Sequence, residues 1–301
     1  MHADPALATH LIAAQFPELH PVGLEYLGQG CDSVAWLVNG EWVFRFPQRE
    51  DVERQLLLEL RILPELIPGS PLPLPCYRFH GKPSADFPRH FAGYPLLPGI
   101  PALQLDPPRL PFDRWAPQLG HFLSWLHRFP AHRLAPLGVE QHDPDELIDE
   151  VQADALDDLA AVARVAPDRP MHQWRQYLSG RPPRLTHSGT AQMLIHGDLA
   201  AEHVLCDPER WEITGIIDWS EIGLGDPAVD FAGLYHWGGQ PLVEQVLASY
   251  DGPIDPELRA RANFLAACRG AADVAFGLEM KRPEYVAAGL RALDQCIELR
   301  A

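Results

Sequence analysis

The sequence contains few cysteines, no long apolar run and little positive charge. Its five cysteines are widely separated, and no pair has Cys-x-x-Cys spacing, so we predict neither a zinc site nor a disulfide framework. A reducing, cytoplasmic location fits this pattern. No uncharged apolar segment approaches the roughly eighteen residues of a membrane span, and the first residues lack a signal-peptide pattern. We therefore expect no membrane partner.

Positive charge is outnumbered, because 24 Lys and Arg face 41 Asp and Glu, which gives a formal net charge of −17. A field of this sign repels nucleic-acid phosphates and anionic lipid, and it would attract a cationic small molecule. An acidic surface also keeps a protein dissolved without any binding role. We expect no nucleic-acid partner, and a monomer or weak dimer.

A tight β-hairpin is predicted near the N-terminus. Residues 34–38 and 41–46 are rich in β-branched and aromatic side chains, and the Asn39-Gly40 pair between them tolerates the positive φ angles of a type I′ turn. The segment before the hairpin, residues 27–33, is predicted to be a glycine-bearing turn.

The rest of the chain predicts one helix among strands, followed by a mostly helical part. Apolar residues recur at helical spacing over residues 51–63, where Pro64 is expected to end the helix, and two strands are predicted at 77–79 and 87–97. Helices are predicted over 115–129 and 145–165, short strands at 193–195, 204–206 and 213–217, and several helices from about residue 227.

These elements predict an α+β fold in two parts. Residues 1–98 would form an N-terminal antiparallel β lobe with one helix, and residues 100–301 a larger, mostly helical C-terminal lobe. A hinge is expected at about residues 92–99, with a cleft between the lobes.

Two polar clusters flanked by strand-like sequence carry the chemistry. Phosphoryl transfer needs a carboxylate that accepts a hydroxyl proton, and metal ligands that neutralise charge on the phosphates. Asp198 suits the first role, and His203 and Asp218 suit the second. Taken singly, either carboxylate could merely cap a turn, and His203 could be a core histidine, since magnesium prefers oxygen ligands.

These clusters resemble the catalytic segments of the aminoglycoside phosphotransferase family. His-Gly-Asp at 196–198, His203 and Ile-Asp-Trp at 217–219 match the family pattern in order and spacing, and a histidine at 203 resembles the branch of 2″-aminoglycoside and macrolide kinases. The resemblance implies a bilobal, protein-kinase-like fold, Mg²⁺, ATP or GTP as phosphate donor, and a small-molecule hydroxyl as acceptor.

The resemblance also assigns nucleotide binding to seven residues of the β lobe. They comprise a strand cation and a helix carboxylate that pair over the phosphates, a glycine loop, and hinge residues beside the purine: Arg45, Glu59, Gly28, Gly30, Ser33, Tyr94 and Leu96. The sequence departs from the family by placing Arg at position 45, where Lys is usual, and Ser33 where a third glycine is usual.

The acceptor is left open between several alternatives. An aminoglycoside or macrolide antibiotic is one, and a sugar or amino alcohol of metabolism is another. The segment at 235–240 has no acid where the branch has glutamates for aminoglycoside amines, and its aromatic residues would suit a flatter or less cationic substrate. A pseudokinase that binds nucleotide without turnover is the third alternative.

Overall fold

The computed structural model describes residues 3–29, 33–105, 110–185 and 192–298. The chain folds into two compact units, the first comprising Met1–Pro98 with Gly215–Ser220 and the second Gly99–Thr214 with Glu221–Ala301. The short segment that carries Asp218 thus packs with the N-terminal unit, although it comes late in the sequence.

The first unit is built on a five-stranded antiparallel sheet with the order β1-β2-β3-β5-β4. Its strands and helices are α1 (Pro5–Gln15), β1 (Leu24–Gln29), β2 (Ser33–Val38), β3 (Trp42–Pro47), α2 (Glu50–Leu66), β4 (Phe79–Gly81) and β5 (Phe91–Pro95).

The predicted hairpin is confirmed between β2 and β3. Asn39 and Gly40 form its turn with φ angles of 54° and 71°, the positive values for which this residue pair is suited. Buried aromatic residues of the sheet form the core of this unit, and the rings of Phe46 and Phe91 stack with centroids 4.6 Å apart.

Several predictions for this unit are wrong. The strands predicted at 77–79 and 87–97 occupy Phe79–Gly81 and Phe91–Pro95 instead. Residues 27–29 belong to strand β1 rather than to a turn, and the register shifts at a bulge between Tyr26 and Gly28. Helix α1 was not predicted, so the described part of this unit contains two α-helices. Helix α2 continues through Pro64 to Leu66, because a proline in the last turn removes a single backbone hydrogen bond while buried Leu66 extends the apolar face.

The second unit is mostly helical. Its helices are α3 (Phe112–His127), α4 (Pro144–Val165), α5 (Met171–Leu178), α6 (Ala228–Leu247), α7 (Leu258–Glu279) and α8 (Pro283–Glu298). Short strands accompany them: β6 (Ile100–Pro101), β7 (Met193–Ile195), β8 (Val204–Asp207) and β10 (Gly223–Gly225), together with β9 (Glu212–Ile216), which crosses from the second unit into the first.

A buried ion-pair triad fixes the ends of two of these helices. Arg261 of α7 is fully buried and donates to Asp226, which precedes α6, and to Asp255, which precedes α7. Asp226 also accepts a hydrogen bond from the N–H of Ala228, the first residue of α6. Among the residues described, none of the helices has the length and apolar character needed to cross a membrane.

Candidate active site

The loop between β7 and β8 is held at its start by a buried carboxylate. Asp230 of α6 accepts hydrogen bonds from the N–H groups of His196 and Gly197, at 3.1 Å and 2.9 Å. The same carboxylate lies 3.0 Å from Nε2 of His127, whose Nδ1 lies 2.8 Å from the hydroxyl of Tyr250. This buried chain ties the loop to helices α3 and α6.

Asp198 is the most exposed acid of this loop. Gly197 before it has a φ of 86°, and a Cβ at that position would lie 2.2 Å from the carbonyl oxygen of Glu221, so only glycine fits. The N–H of Asp198 lies 3.3 Å from His196 Nδ1, and 31% of the Asp198 side chain is exposed. A fixed carboxylate that solvent can reach is able to accept a proton from a bound hydroxyl.

Arg269 of α7 holds this carboxylate, a contact that sequence reasoning missed. Its guanidinium donates to Oδ1 of Asp198 and, at 2.6 Å, to Oε1 of Glu202. Burial opposes the charge of Arg269, but the two carboxylates outweigh it and raise the guanidinium pKa. Burial likewise opposes ionisation of Glu202, yet Arg269 lowers the pKa of that carboxyl. Asp198 and Glu202 thus share one cation.

His203 lies at the end of the same loop. Its Nδ1 is 2.7 Å from the carbonyl oxygen of Asp198 and 3.5 Å from Asp198 Oδ2. A carbonyl can only accept, so Nδ1 carries the proton in this contact. The histidine thereby braces the backbone of the candidate base.

In the first unit, Arg45 of β3 joins two predicted site residues. Its Nη1 lies 2.7 Å and 3.0 Å from the two carboxylate oxygens of Glu59, a fully buried residue of α2. Its Nη2 lies 3.0 Å from Asp218 Oδ1. Burial opposes the charge of Arg45, but Glu59 and Asp218 outweigh it and raise its pKa, so the guanidinium stays charged.

Tyr77 is a second residue that sequence reasoning missed. Its hydroxyl donates to Glu59 Oε2 at 2.9 Å and accepts from Arg45 at 3.3 Å. The ring meets Tyr94 of β5 edge to face, with centroids 5.1 Å apart. Burial raises the pKa values of both tyrosines, so both hydroxyls stay protonated at neutral pH.

The remaining nucleotide-binding candidates lie along the sheet. Gly28 is in β1, and a Cβ there would have no atom within 4 Å. Ser33 begins β2, whereas Gly30 lies outside the described residues. Leu96 follows β5, is 43% exposed, and donates its N–H to the carbonyl of Glu41 at 2.8 Å.

Asp218 and His203 differ in how well they suit magnesium. The carboxylate of Asp218 is the kind of oxygen donor that Mg²⁺ prefers, and Ser220 orients it by donating to Oδ1 at 3.1 Å. Asp218 has a φ of 61°, a left-handed conformation that aspartate adopts more readily than most residues. The imidazole of His203 is a poorer match in ligand type. Within the described chain, no group of three or more His, Cys, Asp or Glu residues is arranged to hold a metal.

The aromatic segment expected to border the substrate lies in the core instead. Tyr235, His236 and Trp237 of α6 are buried, and the Trp237 ring packs against Phe112 and Trp115. Their burial follows from the apolar sequence of α6, which is enclosed on several sides. This segment therefore says nothing about how flat or cationic a substrate is.

The sequence does contain one indication that Arg269 is paired. It is the single charged residue in the run Phe264–Ala272, in which the other residues are apolar or glycine. A charge in such a helix is buried only when it is paired, so the run predicts a carboxylate partner without identifying it. Tyr77 gave no such signal, because it precedes a strand of only three residues.

Residues 23–265 match the phosphotransferase enzyme family of aminoglycoside phosphotransferases. The chain belongs to this family. It is therefore an enzyme that transfers phosphate to an alcohol group, and the predicted family and kinase-like fold are confirmed.

Solved structures of aminoglycoside phosphotransferases share the fold along their whole length. The protein in the GDP and kanamycin complex of APH(2")-IIia is 26% identical in sequence, with 96% of this chain and 97% of that chain covered and a TM-score of 0.73. A GDP complex of wild-type aminoglycoside 2'-phosphotransferase-IIIa is also 26% identical, with 99% and 100% covered and a TM-score of 0.76.

Curated relatives are similar at lower coverage. The uncharacterized protein YcbJ of Bacillus subtilis (strain 168) is 24% identical over 265 residues, 84% of this chain and 82% of the relative. Viomycin phosphotransferase of Streptomyces vinaceus is 28% identical over 121 residues, 31% of this chain and 40% of the relative.

Proposed function

We propose that this phosphotransferase moves the γ-phosphate of ATP or GTP onto a hydroxyl of a small molecule, with Asp198 as the general base. The observation that carries the proposal is the fixed, partly exposed carboxylate of Asp198, held by its loop and by Arg269. Such a carboxylate accepts the hydroxyl proton as the acceptor oxygen bonds to the γ-phosphorus. The bond from that phosphorus to the β–γ bridging oxygen breaks, and the nucleoside diphosphate leaves.

The first unit would supply the nucleotide site. Arg45, held by the buried Glu59, is a charged fork suited to phosphate oxygens, and Tyr77 fixes the orientation of Glu59. Asp218, with His203 as a weaker donor, would hold Mg²⁺, which neutralises phosphate charge when bound. Gly28, Ser33, Tyr94 and Leu96 remain candidates for contacts with the rest of the nucleotide. The GDP complexes of relatives support a test of GTP beside ATP.

The acceptor class includes antibiotics of the aminoglycoside or macrolide type and alcohols of metabolism. Acids on α4 do not by themselves favour an aminoglycoside, because two of them, Asp145 and Asp149, pair with Arg184 at the surface. Drug tolerance of cells with and without the gene separates the two classes. No added tolerance to either type of drug would exclude the antibiotic function.

A transfer screen tests the proposal directly. Purified protein is incubated with Mg²⁺ and either ATP or GTP and a panel of hydroxylated compounds, and phosphate esters are detected by mass spectrometry. We expect an ester with at least one acceptor, no ester when Mg²⁺ is removed by EDTA, and transfer slower by about a hundredfold or more with Asp198→Asn. Thermal stabilisation by Mg²⁺ and nucleotide without any ester would instead indicate a pseudokinase.

A further inference from the structure

A cavity of about 230 Å³ lies in the second unit among helices α4, α6 and α7. Its wall includes Gly197, the residue before Asp198, and Arg269, whose guanidinium binds Asp198 Oδ1. The cavity therefore reaches the residues that position the candidate base.

The wall of this cavity is mostly aliphatic. Val151 of α4, Val229 of α6 and Leu265 of α7 supply much of it, and small residues such as Ala272 complete it. Cys268 also lines the cavity, and burial raises the pKa of its thiol to about 12, so the thiol stays protonated and offers a weakly polar surface. Such a wall favours a hydrocarbon body over a polyhydroxylated one.

Charged groups in the wall balance each other. Arg269 is the cation, and Asp154, exposed on α4, is the anion. The guanidinium is further neutralised by Asp198 and Glu202, which it binds outside the aliphatic part. An acceptor with several ammonium groups would meet one exposed carboxylate here, and it would lose the hydration of its other charges without a partner.

Size also limits the occupant. Pockets that hold drug-sized ligands have volumes of roughly 300–1,000 Å³. At about 230 Å³, the cavity lies below that range, and its side at the exposed residues Asp154 and Ala272 is open to solvent, so its enclosed part suits a compact group better than a multi-ring antibiotic.

We infer that the acceptor is a compact, uncharged alcohol with an aliphatic or alicyclic body, which binds in this cavity with its hydroxyl toward Asp198. The inference rests on the proposed function. It adds the class of acceptor and the helices that select it. Arg269 then has two roles, because it holds Oδ1 of the base and closes the cavity beside the loop.

The experiment compares acceptors and cavity variants. Cyclohexanemethanol and menthol represent the compact class, and kanamycin and erythromycin represent the antibiotics. Ala272→Leu and, as a second variant, Val151→Phe fill the cavity, whereas Ala153→Leu places the same added bulk on an exposed position of α4 that does not line it. Each variant is first checked by thermal melting, and each is assayed for transfer and for nucleotide hydrolysis without acceptor.

We expect transfer to a compact alcohol, with kcat/KM reduced about tenfold or more by either filling variant, as when roughly two buried methylene contacts are lost. The Ala153→Leu enzyme should behave as wild type. Transfer to kanamycin or erythromycin alone, at equal rates in all variants, would overturn the inference and leave the proposed function standing. If wild type transfers phosphate to no alcohol in the panel, or if Asp198→Asn transfers as fast as wild type, the proposed function itself fails.

Discussion

At the scale of single residues, the arginine at position 45 does what a lysine cannot. One guanidinium spans both oxygens of Glu59 through Nη1 and reaches Asp218 through Nη2. A lysine ammonium is a single point of charge on a flexible stem, so it could hold one carboxylate well but would not bridge both. The arginine that replaces the usual lysine thus joins β3, α2 and the Asp218 segment within the first unit.

Substitutions at Arg45 should therefore distinguish the contribution of its charge to the free energy of unfolding from the contribution of its shape. Arg45→Lys keeps the cation and is expected to lower the free energy of unfolding by about 1–3 kcal/mol, the cost of an unsatisfied buried partner. Arg45→Met leaves buried Glu59 without its cation and should cost about 3–5 kcal/mol. Denaturant unfolding measures both, with the exposed Arg49→Lys as control. Equal losses for Lys and Met would show that packing, and not charge, sets the stability.

At the scale of elements, helix α6 approaches the loop that carries Asp198 so closely that one position must be glycine. A Cβ on Gly233 would lie 1.7 Å from the carbonyl oxygen of Leu199, far inside contact distance. The glycine therefore lets the helix that carries Asp230 pack directly against the loop that carries Asp198.

Gly233→Ala should disturb the loop although alanine favours helices. The higher helix propensity of alanine would add about 1 kcal/mol at an open position, but overpacking costs about 1–3 kcal/mol and displaces the loop. We expect lower thermal stability and a larger proportional loss of transfer than of nucleotide binding. Gly23→Ala, at a position outside the helices where a Cβ would lie 3.5 Å from the nearest atom, is the control for added bulk without overlap. A stabilised and fully active Gly233→Ala enzyme would contradict this packing.

The Arg261 triad gives the second unit a defined acid sensitivity. Burial opposes ionisation of Asp255, but its hydrogen bonds from Arg261 outweigh burial and lower the pKa of the carboxyl. A folded-state pKa below the unfolded value of about 3.9 means that the carboxylate stabilises the fold above that pH. The stabilisation is lost as the pH falls from about 4 toward the lower folded-state pKa.

Asp255→Asn should remove part of this pH dependence. The variant is expected to be less stable than wild type at pH 7, and the difference in unfolding free energy should shrink as the pH falls below about 4. Urea unfolding at a series of pH values measures the difference. A difference that stays constant across the acid range would mean that Asp255 does not titrate as the ion pair requires.

At the scale of the whole molecule, the sequence predicted the features that residues adjacent in the chain determine by themselves. The Asn39-Gly40 turn follows from backbone preferences, and the loop of Asp198 was predictable because its residues are adjacent in sequence. The contact of Arg269 with Asp198 joins residues 71 positions apart, and nothing near either residue specifies the other. For the same reason, no local pattern indicated that Asp218 would pair with Arg45 in the first unit.

The boundaries that sequence reasoning placed wrongly also have non-local causes. Gly28 lies in a strand because β2 pairs with it, although glycine itself disfavours strands. The sequence alone predicts that the aromatic residues near Trp237 border a substrate, but the helices packed around α6 bury them. Tertiary packing decided both cases.

The proposed transfer depends most on Asp198 as the base that accepts the hydroxyl proton. The most direct test is the single-turnover rate of phosphate transfer by wild type and Asp198→Asn, measured with the donor and acceptor found in the screen, together with nucleotide affinity. We predict that the rate falls by about 10²–10⁴, the usual contribution of a general base, while nucleotide affinity is unchanged. An Asp198→Asn enzyme that transfers phosphate as fast as wild type would contradict the account.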